Sequence, residues 1–130
     1  MKYIKSLLAV VAFFTFSSIS AQVITDKWKQ MHDYHELLSK TFHPAEEGNF
    51  EPIKNSSEQL VEKAEALDLK TMPQDLRTGK LDETILLLKK QTKTVNDLVQ
   101  RKAPNAEIMR AFENLHDIFH RIVEICQPGK

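Results

Sequence analysis

Six histidine and glutamate side chains occupy two short stretches of this chain, one near each end: His32, Glu36, His43, Glu113, His116 and His120. The first three are spaced at i, i+4 and i+11, and the last three at i, i+3 and i+7. Both spacings place the side chains on one side of an α-helix. Imidazole and carboxylate groups that converge between two helices can bind a transition-metal ion. We therefore expect a metal site if the two helices are neighbours.

The expected ligands are the side chains that lie at the same height along the bundle when the first and last helices pack antiparallel. In that arrangement His32 falls between His116 and His120. Glu36 and Glu113 then act as further ligands or hold the imidazoles in position. His116 and His120 alone form a chelating pair of the kind that suits zinc, copper or nickel. The alternative is that these histidines are solvated or bonded to neighbouring carboxylates.

Other polar groups lie near the same helices. His35 falls among apolar residues, and we expect a core histidine with a buried partner, which joins the metal site if the helix rotates slightly. His43, with Glu46 and Glu47 of the next turn, offers ligands for a second cation, although such runs are more often helix-end chemistry. Cys126 continues an apolar stripe and is expected to be a small buried hydrophobe. Metal ligation and an intermolecular disulfide are its alternatives.

Four helices must position these groups. Glycine is scarce, with three residues, and no stretch alternates apolar and polar side chains as a half-buried strand would. The residues at helical spacing are, in order along the chain, Trp28, Met31, His35, Leu38 and Phe42; Ile53, Ser57, Leu60, Ala64 and Leu67; Leu81, Ile85, Leu88, Thr92, Val95 and Val99; and Ile108, Phe112, Leu115, Phe119, Ile122 and Cys126. Pro44 is expected to end the first helix. The pattern predicts an all-α fold, an up-down-up-down antiparallel four-helix bundle.

The first residues have the pattern of a secretory signal peptide. Lys2 and Lys5 precede an apolar run at 7–16, and small residues then lead to a cleavage site. The run is shorter than the ~20 residues that a membrane-spanning helix needs. We therefore expect a cleaved signal peptide at 1–21 and one four-helix-bundle domain at 22–130. The protein would be periplasmic or secreted, without a membrane anchor after cleavage.

Charge and motif content argue against several classes of protein. Eighteen basic and eighteen acidic residues balance, so no charge excess favours nucleic acid as a partner. A single cysteine cannot form an intramolecular disulfide. No phosphate-binding loop, H-E-x-x-H motif or nucleophile–base pair is present, and we expect no enzyme activity. One Glu-x-x-His motif, at 113–116, is too few for a di-iron carboxylate centre.

The export signal, the four helices and the histidines of the last helix make the mature chain resemble the periplasmic four-helix cytochromes. This group comprises the soluble b-type cytochromes and the cytochrome c prime proteins. The C-x-x-C-H motif is absent because Cys126 stands alone, which excludes covalent haem. The b-type members bind haem iron through a methionine of the first helix and a histidine of the last. The resemblance therefore implies Met31 with His116 or His120 as ligands of a non-covalent haem b.

Two classes of function are compatible with these features. The first is an exported protein that binds a transition-metal ion, or alternatively haem b, in metal handling or electron transfer. The second is a helical interaction or stress adaptor that docks an unidentified protein partner and in which the histidines have no ligand.

Overall fold

The computed structural model describes residues 24–127, so the predicted signal peptide lies outside the described residues. The four long helices are α1 (Lys29–Glu46), α2 (Glu51–Glu65), α3 (Gly79–Gln100) and α4 (Asn105–Ile125). A helical turn at 24–27 precedes α1, and a single 3₁₀ turn (Gln74–Leu76) lies between α2 and α3. No strand occurs within residues 24–127. The predicted all-α class is confirmed.

Local chemistry explains where the helices begin. The hydroxyl of Thr78 accepts the Leu81 N–H at 3.1 Å and so caps the start of α3. Pro52 lies in the first turn of α2, and Pro104 directly precedes α4. Proline is tolerated at a helix start because the first backbone N–H groups have no partner within the helix.

The helix α1 continues past Pro44, which corrects the predicted end. Pro44 lies in its last turn, and the Pro44 carbonyl accepts the Asn49 N–H at 2.9 Å. Gly48 has a φ of 92° and donates to the Ala45 carbonyl at 3.0 Å. This pair of bonds is a Schellman ending, which satisfies carbonyls that a helix leaves free. The last turn also buries Phe42 and Ala45, and this burial offsets the hydrogen bond that proline cannot make.

The core consists largely of the residues predicted from helical spacing. All five predicted residues of the second segment are buried, although Leu67 lies just beyond the end of α2. In α3 and α4 every predicted residue is buried except Val99 and Cys126, which are partly buried near the helix ends. Helical periodicity therefore identified the buried faces of α2, α3 and α4.

The helix α1 is rotated slightly from its predicted orientation. Tyr34 is completely buried, whereas His35, predicted for the core, is only half-buried. The Thr92 hydroxyl donates to the Leu88 carbonyl at 2.7 Å, so the Tyr34 hydroxyl must be the donor in its 2.9 Å bond to Thr92 Oγ. This buried bond joins α1 to α3 and places His35 at the edge of the core.

The helices pack in chain order, and α4 also contacts α1. Ser57 of α2 donates to the Asn96 Oδ1 atom of α3 at 2.8 Å. Gln91 of α3 donates to the Ala111 carbonyl of α4 at 3.0 Å. Aromatic and imidazole rings make the contact between α1 and α4. In the part of the chain described, no helix has the length and apolar character needed to cross a bilayer.

Candidate metal centre between α1 and α4

All five histidines of the chain lie on the two helices that meet at this edge. We call them the histidine cluster: His32, His35 and His43 of α1, and His116 and His120 of α4. Because α1 and α4 are far apart in the sequence, only packing of the fold can bring these imidazoles near one another.

His116 lies at the centre of the contact. Its ring stacks on Phe42 of α1, with centroids 4.2 Å apart and planes 7° apart. The His120 ring approaches it edge-on, at a centroid distance of 4.4 Å and an angle of 83°. Stacking uses the face of the His116 ring and leaves the nitrogens at its rim. Neither histidine forms a hydrogen bond with another residue of 24–127, so the pair offers nitrogen atoms without partners.

His35 makes a second stacked contact across the same edge. Its ring lies on Phe119 of α4, with centroids 4.8 Å apart and planes 7° apart. The Nε2 atom is 3.3 Å from the Ser39 hydroxyl oxygen. The expected core histidine is therefore a half-buried residue bonded to a partly buried serine of its own helix.

Burial lowers the pKa of the His35 imidazole below its usual value, and His32, His120 and His43 add to this effect through positive charge. Such charge effects act over short distances, so the other three imidazoles lie in the surroundings of His35. A lowered pKa favours neutral imidazole, which is the form that binds a metal ion.

Burial also lowers the pKa of His116, and the nearby His120 acts in the same direction. Glu46 and Asp117 oppose the change through their negative charge. The two half-buried imidazoles of the cluster are thus the ones whose environment favours the neutral form.

The remaining expected ligands lie on exposed surface. The His32 Nδ1 atom is 3.5 Å from the Asp33 carboxylate. Glu36 forms an ion pair with Lys40 at 2.8 Å, and the Lys40 hydrogen bond lowers the pKa of Glu36. Glu113 is exposed on α4. Among the described residues, no hydrogen bond or ring contact joins these three side chains to His116 or His120.

The relative register of α1 and α4 explains this separation. The sequence places His32 level with the His116 and His120 pair, whereas in the structure His35 lies opposite Phe119 and Phe42 lies opposite His116. This is a shift of about one helical turn, produced by the phenyl rings that pack on imidazoles of the opposite helix. Within residues 24–127, no three His, Cys, Asp or Glu side chains form a group that could hold a metal ion. Of the expected ligands, the structure therefore brings together two, the imidazoles of His116 and His120.

The contact made by His43 agrees with the alternative expectation for this turn, in which its polar groups interact at the end of the helix. Its Nδ1 atom lies 3.2 Å from the Glu46 carboxylate, one turn along α1. Glu47 is the C-terminal cap residue of α1 and is exposed. Cys126 is a half-buried free thiol, and burial raises its pKa to about 11. The thiol is therefore protonated at neutral pH and is not primed to bind a metal ion.

Met31, the methionine that the cytochrome resemblance implies, is completely buried in the core. An axial ligand needs its sulfur to face a broad flat cavity, so haem ligation by Met31 would require the helices to separate. The side chains around Met31 do not fit haem in the packed arrangement of this structure.

Comparisons with protein-family models, with curated proteins and with solved structures give no match to this chain. The resemblance to bundle cytochromes stays a prediction from the sequence. The functional argument therefore depends on the geometry of the histidine cluster.

Proposed function

We propose that this protein is an exported metal-binding bundle whose ion is held by His116 and His120 of α4, and that one imidazole of α1 moves to join them when the ion binds. The observation that carries the proposal is the pair of α4 imidazoles, whose centroids are 4.4 Å apart and whose nitrogens have no hydrogen-bond partner among residues 24–127. Two histidines one helical turn apart can chelate one ion, and imidazole suits zinc, copper and nickel.

We take His35 as the α1 imidazole that adds a third ligand. It stacks on Phe119, which precedes His120 in the chain, and the charge of His120 lowers the His35 pKa. The contact with Ser39 uses Nε2 and leaves Nδ1 free. His32, which the helical spacing predicts, lies one turn nearer the start of α1 and is the alternative third ligand.

A site with two or three protein ligands has open coordination positions for water or for a donor from another molecule. Closed four-ligand sites are typical of structural ions, whereas an open site can exchange its ion. The half-exposed setting of this pair therefore favours metal handling. Electron transfer would require a redox-active ion such as copper.

The finer fold and the compartment are part of the same proposal. An antiparallel up-down-up-down order is supported by the short connections at 47–50 and 101–104. It is also supported by the pairs His35–Phe119 and Phe42–Phe112, which progress in opposite chain directions along α1 and α4. Export is supported by the signal-like pattern of residues 1–21.

Metal titration of protein produced from the full chain and purified from a bacterial periplasm tests this function. Calorimetry with zinc, copper and nickel should show one ion per chain. His116→Ala/His120→Ala should abolish that binding. The matched control Asn114→Ala/Arg121→Ala changes two exposed residues of the same helix and should bind normally.

Two single variants identify the third ligand. His35→Ala should weaken metal binding and His32→Ala should not, if the packed register is kept when the ion binds. The reverse result would support the register predicted from helical spacing. If no metal binds, and added metals leave the melting temperature unchanged, the proposal is wrong.

The second candidate function, a helical interaction module, is favoured by a different observation. Leu86 and Leu87 of α3 are 66% and 46% exposed, on the side away from the core. Leucines exposed to that extent on one helix favour a protein contact there.

A further inference from the structure

Two leucines lie at the centre of the solvent-exposed face of α3. Leu86 and Leu87 are 66% and 46% exposed. Leu81, Ile85 and Leu88 of the same helix are buried, so the core already has its own apolar stripe. The two exposed leucines lie on either side of the outermost line of the helix, because consecutive residues are ~100° apart.

Two charged residues lie on this outermost line of α3, one on each side of the leucine pair and three residues from it. Glu83 precedes Leu86 by three residues, and Lys90 follows Leu87 by three residues. Both are exposed, and neither forms an ion pair with another residue of 24–127. By contrast, the neighbouring Lys93 is paired with Glu65 of α2 at 2.9 Å.

This arrangement is complementary to itself. When two copies of α3 pack antiparallel about a twofold axis between Leu86 and Leu87, the leucines of both copies meet at the axis. Because each residue rises 1.5 Å, Glu83 of one copy is then level with Lys90 of the other, and the reverse pair forms on the opposite side of the axis. The next level pairs Gly79 with Thr94, which are small and carry no charge.

We infer that the outer face of α3 is a homodimer surface, with a second copy of this chain as its occupant. The four leucines supply the apolar contact, and two Glu83–Lys90 pairs fix the antiparallel register. Because one helix from each copy makes the contact, the dimer is weak and reversible. This inference does not depend on the metal site, which lies on α1 and α4.

Sedimentation velocity across a concentration series tests the dimer, with a chelator present so that metal ions cannot bridge two copies through histidine. Wild-type protein should form dimers as the concentration rises toward about 1 mM. Leu86→Gln/Leu87→Gln should remain monomeric. Leu69→Gln is the matched control, because Leu69 is 49% exposed but lies outside α3, and it should behave as wild type.

Charge reversal tests the register itself. Glu83→Lys alone and Lys90→Glu alone should each weaken dimerisation about tenfold, since each turns two attractive pairs into two repulsive ones. The double variant Glu83→Lys/Lys90→Glu should restore wild-type dimerisation. All of these positions are exposed, and far-ultraviolet circular dichroism should show unchanged helix content.

Four results would overturn the inference. Wild-type protein that stays monomeric across the whole series has no such surface. A dimer that the leucine variant leaves intact uses another face. If the double charge reversal did not restore the dimerisation that each single reversal weakens, the antiparallel register would be excluded. If the leucines instead mediated association with lipid vesicles or with another protein, the occupant of this surface would not be a second copy of the chain.

Discussion

The Phe42 ring of α1 lies flat against the His116 ring of α4, with centroids 4.2 Å apart. The reciprocal contact occurs further along the edge, where His35 of α1 lies flat on Phe119 of α4 at 4.8 Å. Each helix thus contributes one phenyl ring and one imidazole ring. These stacked pairs hold α1 and α4 together and also cover one face of each imidazole.

Replacement of Phe42 should therefore change the titration of one particular histidine. Phe42→Leu removes the ring that covers His116, so the pKa of His116 should rise toward its ordinary value. The variant should also lose about 1–2 kcal/mol of stability, because a buried ring with an edge contact to Phe112 is lost. Histidine titration by NMR and urea denaturation measure the two effects.

The matched variant is Phe119→Leu, which should raise the pKa of His35 instead. If Phe42→Leu left the pKa of His116 unchanged, the stacked Phe42 ring would not be the cause of the lowered pKa of His116.

Stability should fall on mild acidification. Burial lowers the pKa of His35 and His116 in the folded protein, while in the unfolded chain both titrate near ~6.5. As the pH falls below that value, the unfolded chain binds more protons than the folded one, so the free energy of unfolding decreases. The loss continues until the pH has passed the folded-state pKa values.

Urea denaturation at pH 7.5 and pH 5.5, in a chelator, checks this expectation. His35→Gln/His116→Gln should show a smaller difference between the two pH values than wild type. The carboxylates of Asp33, Glu36 and Asp75 do not confuse the comparison, because ion pairs with lysine lower their pKa values further below this range. An unchanged pH dependence in the double variant would contradict the assignment.

The sequence predicts most of the fold because three of the four helices obey simple periodicity. In α2, α3 and α4 the predicted stripe faces the core, and the other buried residues, Thr84, Ile118 and Val123, lie next to it without displacing any member. In α1 two adjacent residues, Tyr34 and His35, compete for the same position. Tyr34 is buried because its hydroxyl finds Thr92 on α3, a distant partner that no local pattern reveals.

The same competition explains what the sequence could and could not predict about the site. The His116 and His120 pair depends on spacing within one helix, so it is readable from the sequence. The α1 partner depends on the rotation and register of α1 against α4, and these follow from the packing of Phe42 and Phe119. The α1 residues that pack nearest the pair therefore differ from His32, the residue that helical spacing predicts.

The buried hydrogen bond between Tyr34 and Thr92 should give unequal losses for its two partners. Tyr34→Phe leaves the Thr92 hydroxyl bonded to the Leu88 carbonyl and should cost about 1 kcal/mol. Thr92→Val leaves the fully buried Tyr34 hydroxyl without an acceptor and should cost about 2 kcal/mol.

A double-mutant cycle by urea denaturation measures this difference. Tyr34→Phe/Thr92→Val should be little worse than Thr92→Val alone, because the second change removes the stranded hydroxyl. Equal single losses that add in the double variant would mean that the hydroxyls do not interact.

The end of α3 offers a stabilising substitution. Lys102 has a φ of 58°, in the left-handed region, and its N–H donates to the Val99 carbonyl at 3.1 Å. The Ala103 N–H donates to the Leu98 carbonyl at 3.0 Å, which completes the same Schellman ending that Gly48 makes after α1. A residue with a Cβ atom is strained in this conformation by about 1 kcal/mol, whereas glycine is not.

Lys102→Gly should therefore raise the free energy of unfolding by roughly 0.5–1 kcal/mol, measured by urea denaturation at pH 7.5. Lys102→Ala is the control that removes the charge and keeps the Cβ atom, and it should not stabilise the protein. If both substitutions had the same effect, the lysine charge rather than the backbone conformation would be responsible.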